Sequence, residues 1–349
     1  MKPLKAALVF IGLLGAMPAM AQSVITPEEW RSYVEAYVSA EGRVIDTGNG
    51  DISHSEGQGY GLMLAALAGD RPTFERIWSF TATEMLVRAD GLSAWRWEPD
   101  KRPRVTDSNN ATDGDMLIAY GLLLGARAWN DGHYSDLALP IIRTIGRTML
   151  IEAEGMPAIL PGAEGFVRDA DAGGPVLNPS YWIFETFPVF AEIDPVIDWM
   201  AVSDTGLDIL RRAQNSAAGI PADWIQLDGA DSEGPAEGFP PEFGYNGIRV
   251  PVYLMRADLA LELLEPFRRH AGPEGLAKID VTTNEAIEPI TEPGYRLIAA
   301  TMDCVIDGTE IPEDLRVMAA TSYYSATLHL LLLDHLRRHE PACLGVEEP

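Results

Sequence analysis

The sequence predicts an all-α fold in two layers, an inner ring of helices wrapped by an outer one, as in an α/α barrel. Three observations carry that expectation. Amphipathic helical segments with a single apolar stripe recur along the chain. Between them lie segments that are apolar nearly all round, the mark of helices buried on several sides. Continuous strand patterns are few and short.

The amphipathic class begins with TPEEWRSYVEAYVS. Thr26 stands as N-cap, Pro27 at the first helical position and Glu29 three residues after the cap, with Trp30, Tyr33, Val34 and Tyr37 on one stripe. PTFERIWSFTATEML repeats the style with Phe74, Ile77, Trp78 and Met85 inward. HYSDLALPIIRTIGRTML, PVIDWMAVSDTGLDILRRAQ and DLALELLEPFRRH follow it. The buried class comprises GYGLMLAALAG, DMLIAYGLLLGARAW, PSYWIFETFPVFAEI, VPVYLMRA, YRLIAATM and YYSATLHLLLLDHL. Polar segments precede the first four: SHSEGQ, NNATDGD, VLNP and FGYNGIR. In a two-ring arrangement these lead-in segments meet at one rim. A single domain over residues 22–349 is expected, with CLGVEEP as a frayed tail.

The first residues read as a secretory signal peptide over 1–21. Lys2 and Lys5 give a positive start, Ala6 to Met17 an apolar stretch too short for a membrane span, and Ala19-Met20-Ala21 a small-residue cleavage site. No cysteine follows that site, so no lipid anchor is expected, and the protein should be exported to the periplasm or beyond. The 349 residues hold 52 acidic against 26 basic side chains, a formal net charge of −26. Such a surface repels phosphate backbones and anionic lipid, which excludes nucleic acid and membrane as partners but suits a neutral polymer. Cys304 and Cys343 are the only cysteines, free to form a disulfide in an oxidising compartment or to stay as buried thiols. With no CxxC and scattered histidines, no zinc site is expected, and the DGD of residues 113–115 lacks the ligand spacing of a calcium loop.

Glu56, Asp113, Asp115 and Arg249 all lie on segments entering buried helices. Tyr60, Trp95, Trp97, Tyr181, Trp182, Trp224 and Tyr245 crowd the same places. Pyranose faces stack on such rings while sugar hydroxyls exchange hydrogen bonds with Asp, Asn and Arg. Cleaving a glycosidic bond needs one carboxylic acid to protonate the leaving oxygen and a second group to activate water or attack. Taken singly, each acid also suits the start of a helix, as dipole partner or cap.

SEGQGYGLMLAAL, DGLSAWRW, NNATDGDMLIAYGLLLGARAW, LNPSYW and GYNGIRVPVYL occur in this order. The series resembles the family-8 glycoside hydrolases, and within them the exported endoglucanases that accompany bacterial cellulose synthases, over most of the chain after residue 21. The resemblance implies an (α/α)6 barrel with an open cleft at one rim and hydrolysis of internal β-1,4-glucosidic bonds with inversion. It implies a cellulose chain as partner, a cellulose synthase complex as a second one, and neither cofactor nor metal. By that similarity Glu56 is the proton donor, and Asp113 acts as base or holds the distorted sugar. Trp95, Trp97, Trp182 and Tyr245 are then stacking platforms, with Tyr60, Asp115, Tyr181, Asn246 and Arg249 completing the substrate-binding set. One position departs from the pattern: many members carry, as water-activating base, an aspartate where this chain has Asn246. An amide orients water but cannot take its proton. Two alternatives stay open at this point. One is a family-8 glycanase acting on chitosan, xylan or mixed-linkage glucan; the other is a glucan-binding component of an export machine.

Overall fold

The computed structural model describes residues 24–168, 174–227 and 234–346; the signal peptide expected over 1–21 lies outside them. Among the described residues the chain is mostly helical. The helices are α1 (Pro27–Tyr37), α2 (Ser55–Ala68), α3 (Arg71–Phe80), α4 (Thr112–Trp129), α5 (Gly132–Thr148), α6 (Phe187–Ile193), α7 (Trp199–Ala213), α8 (Arg249–Arg256), α9 (Leu264–Arg268), α10 (Pro293–Asp307) and α11 (Tyr323–His339).

α1 starts as its sequence dictates. Thr26 Oγ1 accepts from the Glu29 N–H at 3.2 Å, and the Glu29 carboxylate accepts in return from the Thr26 N–H at 3.0 Å. The same carboxylate takes both terminal nitrogens of Arg337, at 2.7 and 2.8 Å, which staples α1 to the far end of α11. The all-round apolar helices are buried as expected: α2 packs on α3, α4 and α11, and α8 packs on α10 and α11. α2 and α4 approach unusually closely because glycines face the contact. A Cβ on Gly59 would lie 2.4 Å from Leu117 Cβ, and one on Gly114 would lie 2.1 Å from Ser55 Oγ. Hence the first turns of α2 and α4 sit side by side. A contiguous hydrophobic core runs from Ile25 to Cys343.

Three expectations are corrected. Residues 179–193 do not form one helix; they fold as two 3₁₀ turns, Pro179–Tyr181 and Phe184–Thr186, followed by α6. Trp182 and Ile183 have ψ of 83° and 81°, outside the helical range, and Pro188 fits only in the first turn of α6, where its missing N–H is not needed. The 258–270 segment likewise shortens to a 3₁₀ turn, Leu261–Leu263, and α9, after Ala260 turns left-handed at φ 50°. Residues 343–346 are not a frayed tail. Cys343 is bonded to Cys304 of α10, 39 residues away, its carbonyl accepts from Ile311 N–H, and Arg316 donates to Leu344 O.

The strands are short, and three of them stand beside the start of α2. β1 (Ser53–His54), β2 (Arg96–Trp97) and β3 (Val105–Asp107) form an antiparallel sheet, with Ser53 opposite Trp97 and His54 opposite Arg96. β1 runs directly into α2. Among the described residues, no helix is long and apolar enough to cross a membrane.

Candidate active site

Three helix starts converge on one guanidinium. Arg249 is the first residue of α8, while Glu56 and Asp113 are each the second residue of their helices. Arg249 Nη1 donates to Glu56 Oε2 at 2.8 Å and to Asp113 Oδ2 at 2.7 Å. Its Nη2 donates to Ser180 Oγ at 2.7 Å and to Asn246 Oδ1 at 2.9 Å. Ser180 in turn donates to Asn178 Oδ1 at 2.7 Å. All four polar lead-in regions therefore meet at Arg249.

The arginine and Asp113 are sealed, with side chains 1% and 2% exposed, while Glu56 keeps 18%. Burial raises the pKa of Glu56 above the carboxylate range, Arg249 opposes that rise and the charge of Asp113 adds to it. Burial works against the charge on Arg249, yet the pull of Glu56, Tyr324, Tyr253 and Asp113 holds it protonated. Because Glu56 and Asp113 share one nitrogen, one oxygen of each carboxyl group is drawn to the same point.

Above this cluster opens a cleft of about 680 Å³. Of the residues the sequence pointed to, Glu56, Asp113, Trp95, Tyr181, Tyr245 and Asn246 line it, as does Trp224. Tyr245 is 43% exposed, and Tyr324 donates to its carbonyl at 2.8 Å. Trp224 is sandwiched by Phe166 and Phe239, with ring centroids 5.6 and 4.8 Å away. Asn246 bridges two charges: its Oδ1 takes Arg249, and its Nδ2 donates to Asp223 Oδ2 at 3.3 Å. Asp223 also accepts from the N–H groups of Gly244 and Gly247, both at 2.8 Å, which shapes the turn ahead of α8. A groove of similar size, about 670 Å³, lies between residues 214–219 and 269–279 but carries no Trp, Tyr or Phe on which a sugar could stack.

Five expected site residues do not line the cleft: Arg249, sealed beneath it, and four that lie apart. Trp97 is buried edge-on against Phe80, donates to Glu84 at 3.1 Å, and is covered by the guanidinium groups of Arg43 and Arg104. Trp182 is buried against Gly206 of α7 and donates to Val202 O at 2.7 Å. Tyr60 is sealed below the site, its hydroxyl bonded to that of Tyr253. Asp115, fully buried and pushed up to about 7 by that burial, accepts from Ser93 N and Oγ and from Asn110 Nδ2. It ties the loop carrying Trp95 to α4. The period of a helix or the presence of a ring could not say which side of the inner layer these groups occupy.

The cleft also contains Asp46, His54, Glu292, Tyr295 and Tyr324, which sequence reading passed over. Tyr295 and Tyr324 were legible only as parts of apolar helices. The others are single polar or aromatic residues at loop and helix boundaries that tertiary packing brings together.

A sequence profile of the glycosyl hydrolases of family 8 matches residues 1–337. An endoglucanase of Cellulomonas uda is 33% identical over 260 residues, 73% of this chain and 72% of that protein. A probable endoglucanase of Novacetimonas hansenii is 33% identical over 312 residues, covering 87% and 89% of the two chains. The solved structure of the endo-β-1,4-glucanase CMCax from Acetobacter xylinum superimposes with a TM-score of 0.80 at 32% identity, over 90% of this chain and 98% of that one. A helical scaffold, an acid cluster at converging helix starts and a profile matched along nearly the whole length agree: this chain belongs to the glycosyl hydrolases of family 8.

Proposed function

We propose that the chain is an endo-β-1,4-glucanase that cuts internal bonds of a cellulose chain lying in this cleft, with inversion. The observation that carries the reading is Glu56, a carboxyl group with a raised pKa at the floor of an aromatic-walled cleft, hydrogen-bonded to a buried arginine. Glu56 donates its proton to the glycosidic oxygen as that bond breaks, water attacks the anomeric carbon from the opposite face, and the proton that this water sheds passes to solvent in the cleft, from which Glu56 is protonated again. Burial, which outweighs the pull of Arg249, and the negative charge of Asp113 favour the protonated form of Glu56. Asp113, paired with the same Arg249 nitrogen, holds Arg249 and the sugar in place. Asn246, fixed between Arg249 and Asp223, orients the water. Trp95, Tyr181 and Tyr245 carry the sugar rings.

An (α/α)6 barrel fits the alternation of buried and amphipathic helices and the convergence of helix starts at one rim, within a single domain over residues 22–349. The positive start, apolar stretch and cleavage site of residues 1–21 support export, and the order of motifs supports work beside a cellulose synthase.

Time-resolved NMR of defined cello-oligosaccharides tests the reading. Interior cleavage with the α-anomer appearing first is expected. Release from chain ends alone, or β-anomer first, would overturn it.

A further inference from the structure

His54 is the N-cap of α2, and it caps in an unusual way: Nδ1 accepts from the Gly57 N–H at 3.0 Å, inside the turn that carries Glu56. An acceptor nitrogen bears no proton, so the ring hydrogen sits on Nε2 and points at Asp46 Oδ2, 3.2 Å away. Asp46 is itself held, its Oδ1 accepting from the Gly48 N–H at 3.1 Å. The fit around the ring is close. Tyr323 of α11 packs edge-on against His54 at 5.7 Å, and a Cβ at residue 57 would meet Tyr323 Oη at 3.1 Å and His54 Cε1 at 3.3 Å. Asp46, His54 and Glu56 all line the cleft.

We infer that Asp46 and His54 are positioning residues for Glu56: Asp46 fixes the imidazole in one tautomer, and the imidazole locks the first turn of α2 on which the carboxyl group stands. The inference rests on the reading of Glu56 as proton donor. A neutral His54 leaves Asp46 as an uncompensated negative charge near Glu56, which favours the protonated acid. Burial works against a charge on the His54 ring, but its bond to Asp46 and the charges of Glu56, Asp46 and Asp113 outweigh it and lift its pKa above the ordinary value, so that it is the Gly57 N–H on Nδ1 that opposes a second proton. A second proton could go only on Nδ1, where it would face the Gly57 N–H and break the cap. The other charged and titratable groups facing this turn are Arg249 from α8, Asp113 from α4, and the tyrosines Tyr60, Tyr181, Tyr253, Tyr323 and Tyr324. Burial drives all five tyrosines above their ordinary range, so they stay neutral.

Steady-state pH profiles on a neutral cello-oligosaccharide test the pair. Asp46→Asn keeps an acceptor for the ring but removes the charge. Glu56 should then lose its proton at lower pH, moving the basic limb of kcat/KM down by about one pH unit. His54→Ala should lower kcat about 10-fold with KM within twofold, and His54→Asn, a good N-cap, should recover most of that loss. A basic limb unmoved in Asp46→Asn, or equal losses in the alanine and asparagine variants, would overturn the inference. Glu56→Gln run in parallel separates the two readings. Wild-type turnover in it defeats the donor assignment, whereas a dead Glu56→Gln beside an unmoved Asp46→Asn limb defeats only the role of the pair.

Discussion

α8 carries two buried arginines at its ends, seven residues and so about 10.5 Å apart, and they serve opposite purposes. Arg256, at the inner end, grips Glu185 with two nitrogens at 2.6 and 2.8 Å and gives the third to Leu331 O at 2.6 Å. Both partners are under a tenth exposed, and neither is among the residues lining the cleft above Glu56. Arg249, at the rim, divides one nitrogen between two carboxylates and leaves the more exposed of them, Glu56, facing the cleft. Asp334 also stands 3.9 Å from Arg256 and takes Arg338 at 2.8 Å, so two arginines face two carboxylates and the first arrangement is matched charge for charge. The second holds an extra carboxyl group whose proton is free to move. The same chemical pair is thus a fastening in one place and a candidate reaction centre in the other, and the difference lies in stoichiometry and exposure.

The comparison breaks most sharply by removing the fastening. Glu185→Gln takes from a buried guanidinium its two-pronged counter-charge, leaving only the more distant Asp334, and should destabilise the protein by about 3 kcal/mol, while the folded fraction keeps wild-type kcat. Chemical denaturation with parallel activity assays checks both halves. The two tryptophans of the DGLSAWRW segment give a second contrast. Trp97→Ala empties a packed site and should lose about 3–5 kcal/mol of stability with KM unchanged. Trp95→Ala should weaken binding of long oligosaccharides by about 1–2 kcal/mol with little loss of stability.

A smaller effect is expected at Asn246. Asn246→Asp would set a carboxylate 3.3 Å from Asp223 in place of an amide donor, so that one of the two must take a proton. Activity should stay flat or fall by up to about 10-fold, and a marked gain in kcat would show that the position wants a base. The mildest prediction concerns Glu29, another fastening. Burial raises its pKa, but Arg337 and the N–H groups of Met318 and Thr26 lower it further, to about 2 from the ordinary 4.5. A depressed carboxylate contributes stability above pH 4.5, and that contribution drains away as pH falls towards 2, by at most about 1.4 kcal/mol per unit. Glu29→Gln should therefore melt lower than wild type at pH 6, with the gap closing by pH 2.5.

Much of this was legible in the sequence. The cap of α1 was written in Thr26, Pro27 and Glu29, and the convergence of Glu56, Asp113 and Arg249 followed from polar segments entering all-round apolar helices. What could not be read was the side of the inner layer on which a ring or acid falls, which misplaced Tyr60, Trp97, Asp115 and Trp182. Strands of two or three residues, such as β1 to β3, are too short to show alternation, yet they set Trp95 beside the start of α2. Asp46 precedes β1 and His54 ends it, and the His54 ring packs against a tyrosine from α11, far along the chain.

The most direct test of the central claim is the turnover of Glu56→Gln on a soluble cellulose derivative, measured beside its thermal melt. The amide keeps the shape of Glu56 and a hydrogen-bond acceptor for Arg249 but has no proton of suitable acidity to donate. A fall in kcat of roughly 100-fold or more with an essentially unchanged melting temperature is predicted. Near-wild-type turnover would contradict the assignment of Glu56 as proton donor.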